Sequence, residues 1–264
     1  MKISVIIPAF NAGATLERAL NSVWFQSHSD FEVIVMDGGS KDSTRSLLES
    51  NSKKIAYWVS EKDEGTTDAM NKGFQKATGD VVTFLCADDQ FHDAQVFARV
   101  AEEFGKFPQT GVLCGSLRTF DPEGLVRPFV SRPRPELLHW HMTAHLPGSF
   151  FRREVLKDRQ FDQSAEVAND YELFAYLQQV KKPVMRVLDD VVVTFSLGGR
   201  TNDPVTDFWK ARECFQIRRK YYGEWAAWPR YLLDLTVSTL RWMHFRPLTW
   251  ARKTRRWLIG SSAA

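Results

Sequence analysis

The sequence predicts an α/β fold built on a parallel sheet, and three observations carry that prediction. Short apolar, β-branched runs alternate with segments whose hydrophobic residues recur at helical spacing. The runs end in Pro, Gly or Asp, the loop positions where open α/β sheets bind their ligands. The 264 residues are 44% hydrophobic and 25% charged with a formal net charge of +3. Such average values exclude disordered, collagen-like and disulfide-rich chains, and the length fits one large or two small domains.

Taken in order, Lys2 to Pro8 is an apolar run closed by proline, which fits a buried strand. Leu16, Ala19, Leu20 and Val23 then keep helical spacing. Phe31 to Met36 is a second strand, broken by Asp37-Gly38-Gly39-Ser40, and Asp42 and Ser43 supply caps for a helix through Leu48. Two β-loop-α units in succession imply parallel strands joined by right-handed crossovers. Strand Ile55 to Val59, helix Thr67 to Ala77 and strand Val81 to Leu85 follow, the last running into Cys86-Ala87-Asp88-Asp89. Next come helix Ala94 to Phe107 and strand Gly111 to Cys114. Residues 116–148 hold Pro122, Pro128, Pro133, Pro135, Pro147 and the cluster His139-Trp140-His141, so irregular structure with edge strands is expected. Glu166 to Val180 reads as a helix, and Val184 to Phe195 as one or two strands.

No stretch approaches the roughly 18 apolar residues of a spanning helix, and none reads as a signal peptide. Cys86, Cys114 and Cys214 are scattered, odd in number and outside metal-ligand spacing, as expected for reduced thiols of a cytoplasmic protein. The near-neutral charge is a sum of unlike parts. Residues 1–204 hold 23 Lys+Arg against 28 Asp+Glu, net −5, and residues 205–264 hold 12 against 4, net +8, with six of the nine tryptophans.

Three predicted strand ends carry carboxylates: Asp37, Asp63 and the pair Asp88-Asp89. One acidic loop is commonly a helix cap or solvated turn. Three at one sheet edge repel one another unless a cation or hydrogen-bonding ligand sits among them. Adjacent carboxylates suit a hard divalent ion, Mg²⁺ or Mn²⁺, whose shell diphosphate oxygens complete.

Val5-Ile6-Ile7-Pro8-Ala9-Phe10-Asn11, Asp37 to Thr44, Asp63-Glu64-Gly65, Asp68-Ala69-Met70-Asn71-Lys72-Gly73, Gly79-Asp80 and Asp88-Asp89 occur in this order. Together they resemble the family 2 inverting glycosyltransferases of the GT-A fold, a mostly parallel mixed sheet flanked by helices. The resemblance implies that Pro8 and Ala9 line a nucleotide pocket with Asn11, Gly38 and Ser40, and that Asp37 accepts a hydrogen bond from uracil. It implies that Asp88 faces the ribose, that Asp89 holds the metal on the diphosphate, and that Asp63, Asp68, Asn71 and Lys72 lie beside the nucleotide and donor sugar. Val167 to Phe174 resembles the segment where a carboxylate serves as general base, here Asp170. A helix-capping role is the alternative for Asp170, and because Glu166 lies four residues earlier either carboxylate could point into the cleft. His145, Glu166 and Arg200 are candidates for the acceptor side. Two positions depart from the family's pattern: Cys86 stands where Asn or Asp is common, and Thr67 where an aromatic is common.

The tail lies outside the resemblance. Pro229 to Phe245 reads as an amphipathic helix with Leu233, Val237 and Leu240 on one side. In a helix after Pro247, Trp250, Trp257 and Leu258 share a face opposite Arg252, Lys253, Arg255 and Arg256. This pattern suits an anionic membrane surface, met through residues 229–259, with packing on the catalytic unit or a second subunit as the alternative. No nucleic-acid recognition motif accompanies the basic residues. The expected function is transfer of a sugar from a UDP-sugar, with Mn²⁺ or Mg²⁺, to a hydroxyl of a lipid-linked glycan in polysaccharide biosynthesis. The expected place is the cytoplasmic face of the cell membrane. The rival is a silent nucleotide-sugar-binding subunit. A nucleotidyltransferase is disfavoured because Pro8-Ala9-Phe10-Asn11 is not a Gly-rich phosphate loop.

Overall fold

The structure, a computed structural model, describes residues 1–121, 127–165, 167–197 and 204–240. The chain parts into two compact units, Met1–Leu197 and Gly198–Ala264.

In the first unit four strands follow the expected alternation: β1 (Ile3–Ala9), β2 (Phe31–Asp37), β3 (Tyr57–Ser60) and β4 (Val81–Phe84). Helices α1 (Leu16–Trp24), α2 (Thr44–Ser50) and α3 (Thr66–Lys76) connect them. After β5 (Gln90–Phe91) and α4 (Val96–Lys106) come β6 (Thr110–Phe120), β7 (Val130–Ser131), β8 (Ser149–Arg152), α5 (Arg153–Leu156), α6 (Asn169–Tyr176) and β9 (Val184–Ser196). The strands form one sheet in the order β3-β2-β1-β4-β8-β6-β9-β5, with β7 on β6. β1, β2, β3 and β4 are mutually parallel, β8 runs antiparallel to both β4 and β6, and β6 and β9 are parallel.

Period-2 alternation assigns the two faces. Ile3, Val5 and Ile7 of β1, with Val33 and Val35 of β2, pack in one cluster with Leu16, Leu20 and Val23 of α1 and Val96, Phe97 and Val100 of α4. On the opposite face Ile6 and Met36 meet α3 so closely that a Cβ on Gly73 would lie 2.5 Å from Ile6 Cγ2. Phe84 lies on that side too, edge-on to Phe151 and to Phe161. Both faces being covered explains why β1 is buried throughout and reads as an unbroken apolar run.

The sheet is mostly parallel and mixed, as the family resemblance implies, with β8 and β5 entering antiparallel. Two expectations need correction. The strand expected to stop at Cys114 continues to Phe120. Gly115, within β6, is a site of close approach: a Cβ there would lie 2.5 Å from Val192 of β9. The helix expected from Glu166 begins at Asn169 and ends in a π-helical turn, Leu177–Lys181.

In the second unit α7 (Pro204–Tyr222) and a helix over 224–240, α8, are joined at Gly223, whose φ of +87° lies in the left-handed region. Phe215 packs on Trp228 and Tyr231, with ring centroids 4.8 and 4.6 Å apart.

Candidate functional site

The register levels the strand ends that carry the carboxylates. Ala9 pairs with Asp37, and Asp37 with Ser60. Asp37 is buried and accepts hydrogen bonds from Ser60 Oγ at 2.6 Å, Ser40 N at 3.2 Å and Ser40 Oγ. Two of these bonds fall on Oδ2, so Oδ1 retains acceptor capacity. Asn11, in the left-handed region at φ +49°, ties the loop after β1 to the loop after β2. Its N–H donates to Ser40 Oγ at 2.7 Å and its Oδ1 accepts Lys41 N at 2.9 Å. Pro8 and Ala9 are buried at the end of β1. Asp63 lies directly over Gly38: a Cβ on Gly38 would sit 2.8 Å from its carboxylate. On α3, Lys72 pairs with Asp68 at 2.7 Å. Asn71 commits its amide to the backbone of Phe161, accepting from N at 2.7 Å and donating to O at 3.1 Å.

The second cluster follows from strand pairing. The chain leaves β4, turns through Cys86 to Asp89, and enters β5, which pairs with Val193 and Thr194 of β9. That pairing sets Ser196 N 2.8 Å from Asp89 Oδ1. Asp89 Oδ2 is buried with no hydrogen-bond partner. Ligand atoms of Cys86, Asp88 and Asp89 lie within 4.8 Å of one another. Burial first, and repulsion from Asp88 second, push the Asp89 carboxyl up to about 8, against the Ser196 N–H and the Arg18 charge. Burial also raises Asp88. Burial pushes the Cys86 thiol well up, and the charges of Asp89, Asp88 and Asp170 push it further. A buried, unpartnered carboxylate oxygen beside a second carboxylate is a donor that a hard divalent cation satisfies, so this set fits Mn²⁺ or Mg²⁺.

Asp170 stands in the first turn of α6, where its Oδ1 accepts Tyr171 N at 2.7 Å. The neighbouring Asn169 fixes that turn to α3 through Thr67 Oγ1 at 2.9 Å, and Tyr171 OH donates to Leu138 O at 2.7 Å. The charge of Asp170 acts on the Cys86 thiol, as do those of Asp88 and Asp89.

A family model for glycosyl transferase family 2 matches residues 4–165, more than half of the chain. The chain belongs to this family. An uncharacterized glycosyltransferase of Mycobacterium tuberculosis is 30% identical over 224 residues, 83% of this chain and 85% of that one. An uncharacterized glycosyltransferase of Nostoc sp. is 34% identical over 171 residues, and a PGL/p-HBAD biosynthesis glycosyltransferase of Mycobacterium tuberculosis is 35% identical over 117. Those matches cover 60% and 43% of this chain and 52% and 46% of the relatives, so this chain spans about half their length. Among solved structures, S. aureus TarS 1-349 in complex with UDP-GlcNAc superposes with TM-score 0.62 at 20% identity, covering 84% of this chain and 72% of that one. The mannosyltransferase PcManGT from Pyrobaculum calidifontis, in complex with GDP-Man and Mn²⁺, gives 0.63 at 19%, covering 97% and 82%. The shared fold is GT-A.

Within this family framework, Arg18 is a site residue that sequence reasoning missed. It sits on α1, donates from Nη2 to Asp88 O at 2.8 Å, and opposes the raised carboxyls of Asp88 and Asp89. In the sequence it is one more charge on the polar side of an amphipathic helix, and only the β4 loop returning over α1 reveals it. Ser60 and Ser196 were missed likewise, and Thr67, noted only as a departure from the family's pattern, anchors Asn169. His145 bonds to Ser131 Oγ at 3.2 Å through Nε2 and accepts Ser149 Oγ at its carbonyl. Glu166 and Arg200 lie outside the described residues. A cavity of about 380 Å³ lined by Asp80, Arg152, Arg153, Glu154 and Lys157 opens at the amino end of β4, the opposite sheet edge from these loops.

Proposed function

We propose that the chain is an inverting, metal-dependent glycosyltransferase. It moves a sugar from a UDP-sugar to a hydroxyl of a lipid-linked glycan in cell-surface polysaccharide biosynthesis. The observation that carries this reading is the buried, unpartnered Asp89 Oδ2 beside Asp88, in reach of the Asp170 charge, at the carboxyl ends of parallel strands. Neighbours of the same fold in complex with UDP-GlcNAc, or with GDP-Man and Mn²⁺, support a nucleotide-sugar donor.

In this mechanism Asp37 reads the uracil imide through Oδ1, in a pocket closed by Pro8, Ala9, Gly38 and Ser40, while Asn11 holds the two loops together. Asp88 faces the ribose, and Asp63, Asp68 and Lys72 line the donor-sugar side. Asn71 positions α3 against the Phe161 segment. Asp89 would hold a divalent cation that, when bound, neutralises charge on the departing diphosphate. Asp170 takes the proton of the acceptor hydroxyl as its oxygen bonds to the anomeric carbon. The bond from that carbon to UDP breaks on the opposite side, UDP leaves with the electron pair, and the configuration inverts. His145, Glu166 and Arg200 belong to the acceptor side.

The test is UDP release from a panel of UDP-hexoses and UDP-N-acetylhexosamines with Mn²⁺ and a glycolipid extract. Asp89→Ala and Asp170→Asn are each expected to lower turnover by about 10²–10⁴-fold. Full activity of Asp170→Asn removes the base assignment, and UDP binding without release under any condition favours a silent binding subunit.

The same reading takes residues 1–204 as the catalytic domain and residues 205–264 as a tail holding the enzyme at the cytoplasmic face of the membrane through residues 229–259. Among the described residues no helix is long and apolar enough to cross a membrane.

A further inference from the structure

Helix α8 is turned inside out. A surface helix ordinarily buries its apolar stripe and shows its charges to water. In α8 the buried side carries the polar groups: Asp234 accepts from Arg218 Nη2 at 3.0 Å and from Arg230 Nε at 2.8 Å, and Ser238, one helical turn after Asp234, is buried. Arg218 of α7 is only 2% exposed. The outward side carries Trp225, Trp228, Leu232, Leu233, Val237 and Leu240, with Trp225 95%, Leu232 60% and Leu240 57% exposed. Trp225, Trp228 and Leu232, then Leu233, Val237 and Leu240, recur at spacings of three and four, so the two rows form one continuous stripe rather than scattered apolar side chains.

Several polar atoms along the stripe are bonded within the helix. Trp228 Nε1 donates to Glu224 at 2.9 Å, and the hydroxyls of Thr236 and Thr239 each donate at 2.8 Å to the carbonyl four residues back. A face of tryptophan and leucine with Trp228, Thr236 and Thr239 bonded within the helix suits the boundary between headgroups and hydrocarbon, where an indole N–H at the rim meets polar groups. From the end of this stripe the chain goes on through residues 241–264, which hold six Lys+Arg and no Asp or Glu. A second copy placed against the stripe would bring the same positive charge, whereas an anionic bilayer brings the opposite one.

We infer that the outward stripe of α8, from Trp225 to Leu240, inserts into the boundary between headgroups and acyl chains of an anionic bilayer, with the salt-bridged side facing away from the lipid. The inference rests on the membrane reading of the tail and deepens it. It assigns the inserting surface to the α7–α8 hairpin and extends it to Trp225 and Trp228, ahead of the span 229–259.

The experiment uses the full chain with vesicles of phosphatidylcholine and phosphatidylglycerol, read by flotation and by quenching of tryptophan fluorescence with acyl-chain-brominated lipid. Trp225→Ser, Leu232→Ser and Leu240→Ser are combined in one variant, since all three side chains are exposed and the folded hairpin does not need them. Unchanged far-ultraviolet circular dichroism checks the fold. The vesicle partition coefficient is expected to fall at least about tenfold, with quenching lost. A separate deletion of residues 247–264 tests the terminal helix. If the deletion abolishes binding and the triple variant binds as the parent does, the α8 inference is overturned while the membrane reading stands. If the triple variant loses binding and the deletion does not, α8 is the inserting surface. If neither the parent nor any variant binds, both fail. A parent that is dimeric in solution and becomes monomeric on the triple substitution, with vesicle binding unaltered, makes the stripe a subunit interface and overturns the inference.

Discussion

A carboxyl held at about 8 by burial and by Asp88 weakens the fold whenever it ionises without a partner. Asp89 is raised from an ordinary 3.8, so its contribution to stability is present below that value and is lost as the pH rises through about 8. With EDTA present, the melting temperature of the parent should therefore fall between about pH 5 and pH 8 relative to that of Asp89→Asn, which has no charge to bury there. Mn²⁺ should restore the parent and leave the variant unchanged. Equal pH slopes with and without the carboxylate would contradict this picture of Asp89. The positions of the carboxylates were legible: Asp37, Asp63, Asp88 and Asp89 stand at or just after strands, and Asp170 stands in the first turn of α6. What stayed hidden was how neighbours use them. Asn71 looks like a donor contact by its place in the Asp68 to Gly73 block, yet its amide is taken up by a backbone segment 90 positions away. Arg18 is hidden for the converse reason, since its partner Asp88 lies 70 positions along.

Among the elements, close packing decides positions that composition leaves ambiguous. Gly73 lies within α3, where alanine would favour the helix by about 1 kcal/mol. A Cβ there would meet Ile6 Cγ2 at 2.5 Å and Met36 Cγ at 3.2 Å, and Ile6 is β-branched and fully buried in a central strand. The clash outweighs the propensity, so Gly73→Ala should lower stability by about 1–2 kcal/mol, seen as a lower midpoint in urea. An unchanged or higher midpoint would show that α3 can lift off the sheet at no cost. Helices α1 and α4 were legible because each buries a face with a clear period, and β1 and β2 because each is an apolar, β-branched run. β5 has two residues and β8 has four, too short for a period to register, and their antiparallel entry follows from long-range pairing with β9, β4 and β6. β6 runs past Cys114 to Phe120 through its pairing with β9, a long-range partner that local sequence does not display.

For the whole molecule, the net charge of +3 conceals residues 1–204 at −5 and residues 205–264 at +8. In the proposed function the acidic part gathers carboxylates around a cation and a nucleotide, and the basic part faces lipid. Helix α8 makes the second half of that statement sharper than charge alone, because its apolar stripe is outward and its ion pairs are inward. The first half turns on Asp89 joining a metal to a uridine diphosphate. Isothermal titration of UDP into the full chain puts this to the test, with Mn²⁺, with EDTA, and with Asp89→Asn in Mn²⁺. Binding is expected in Mn²⁺ and should weaken at least about tenfold, or 1.4 kcal/mol, in each of the other two conditions while the fold is retained. Equal UDP affinity in all three, or no UDP binding by the parent in Mn²⁺, would refute the role assigned to Asp89.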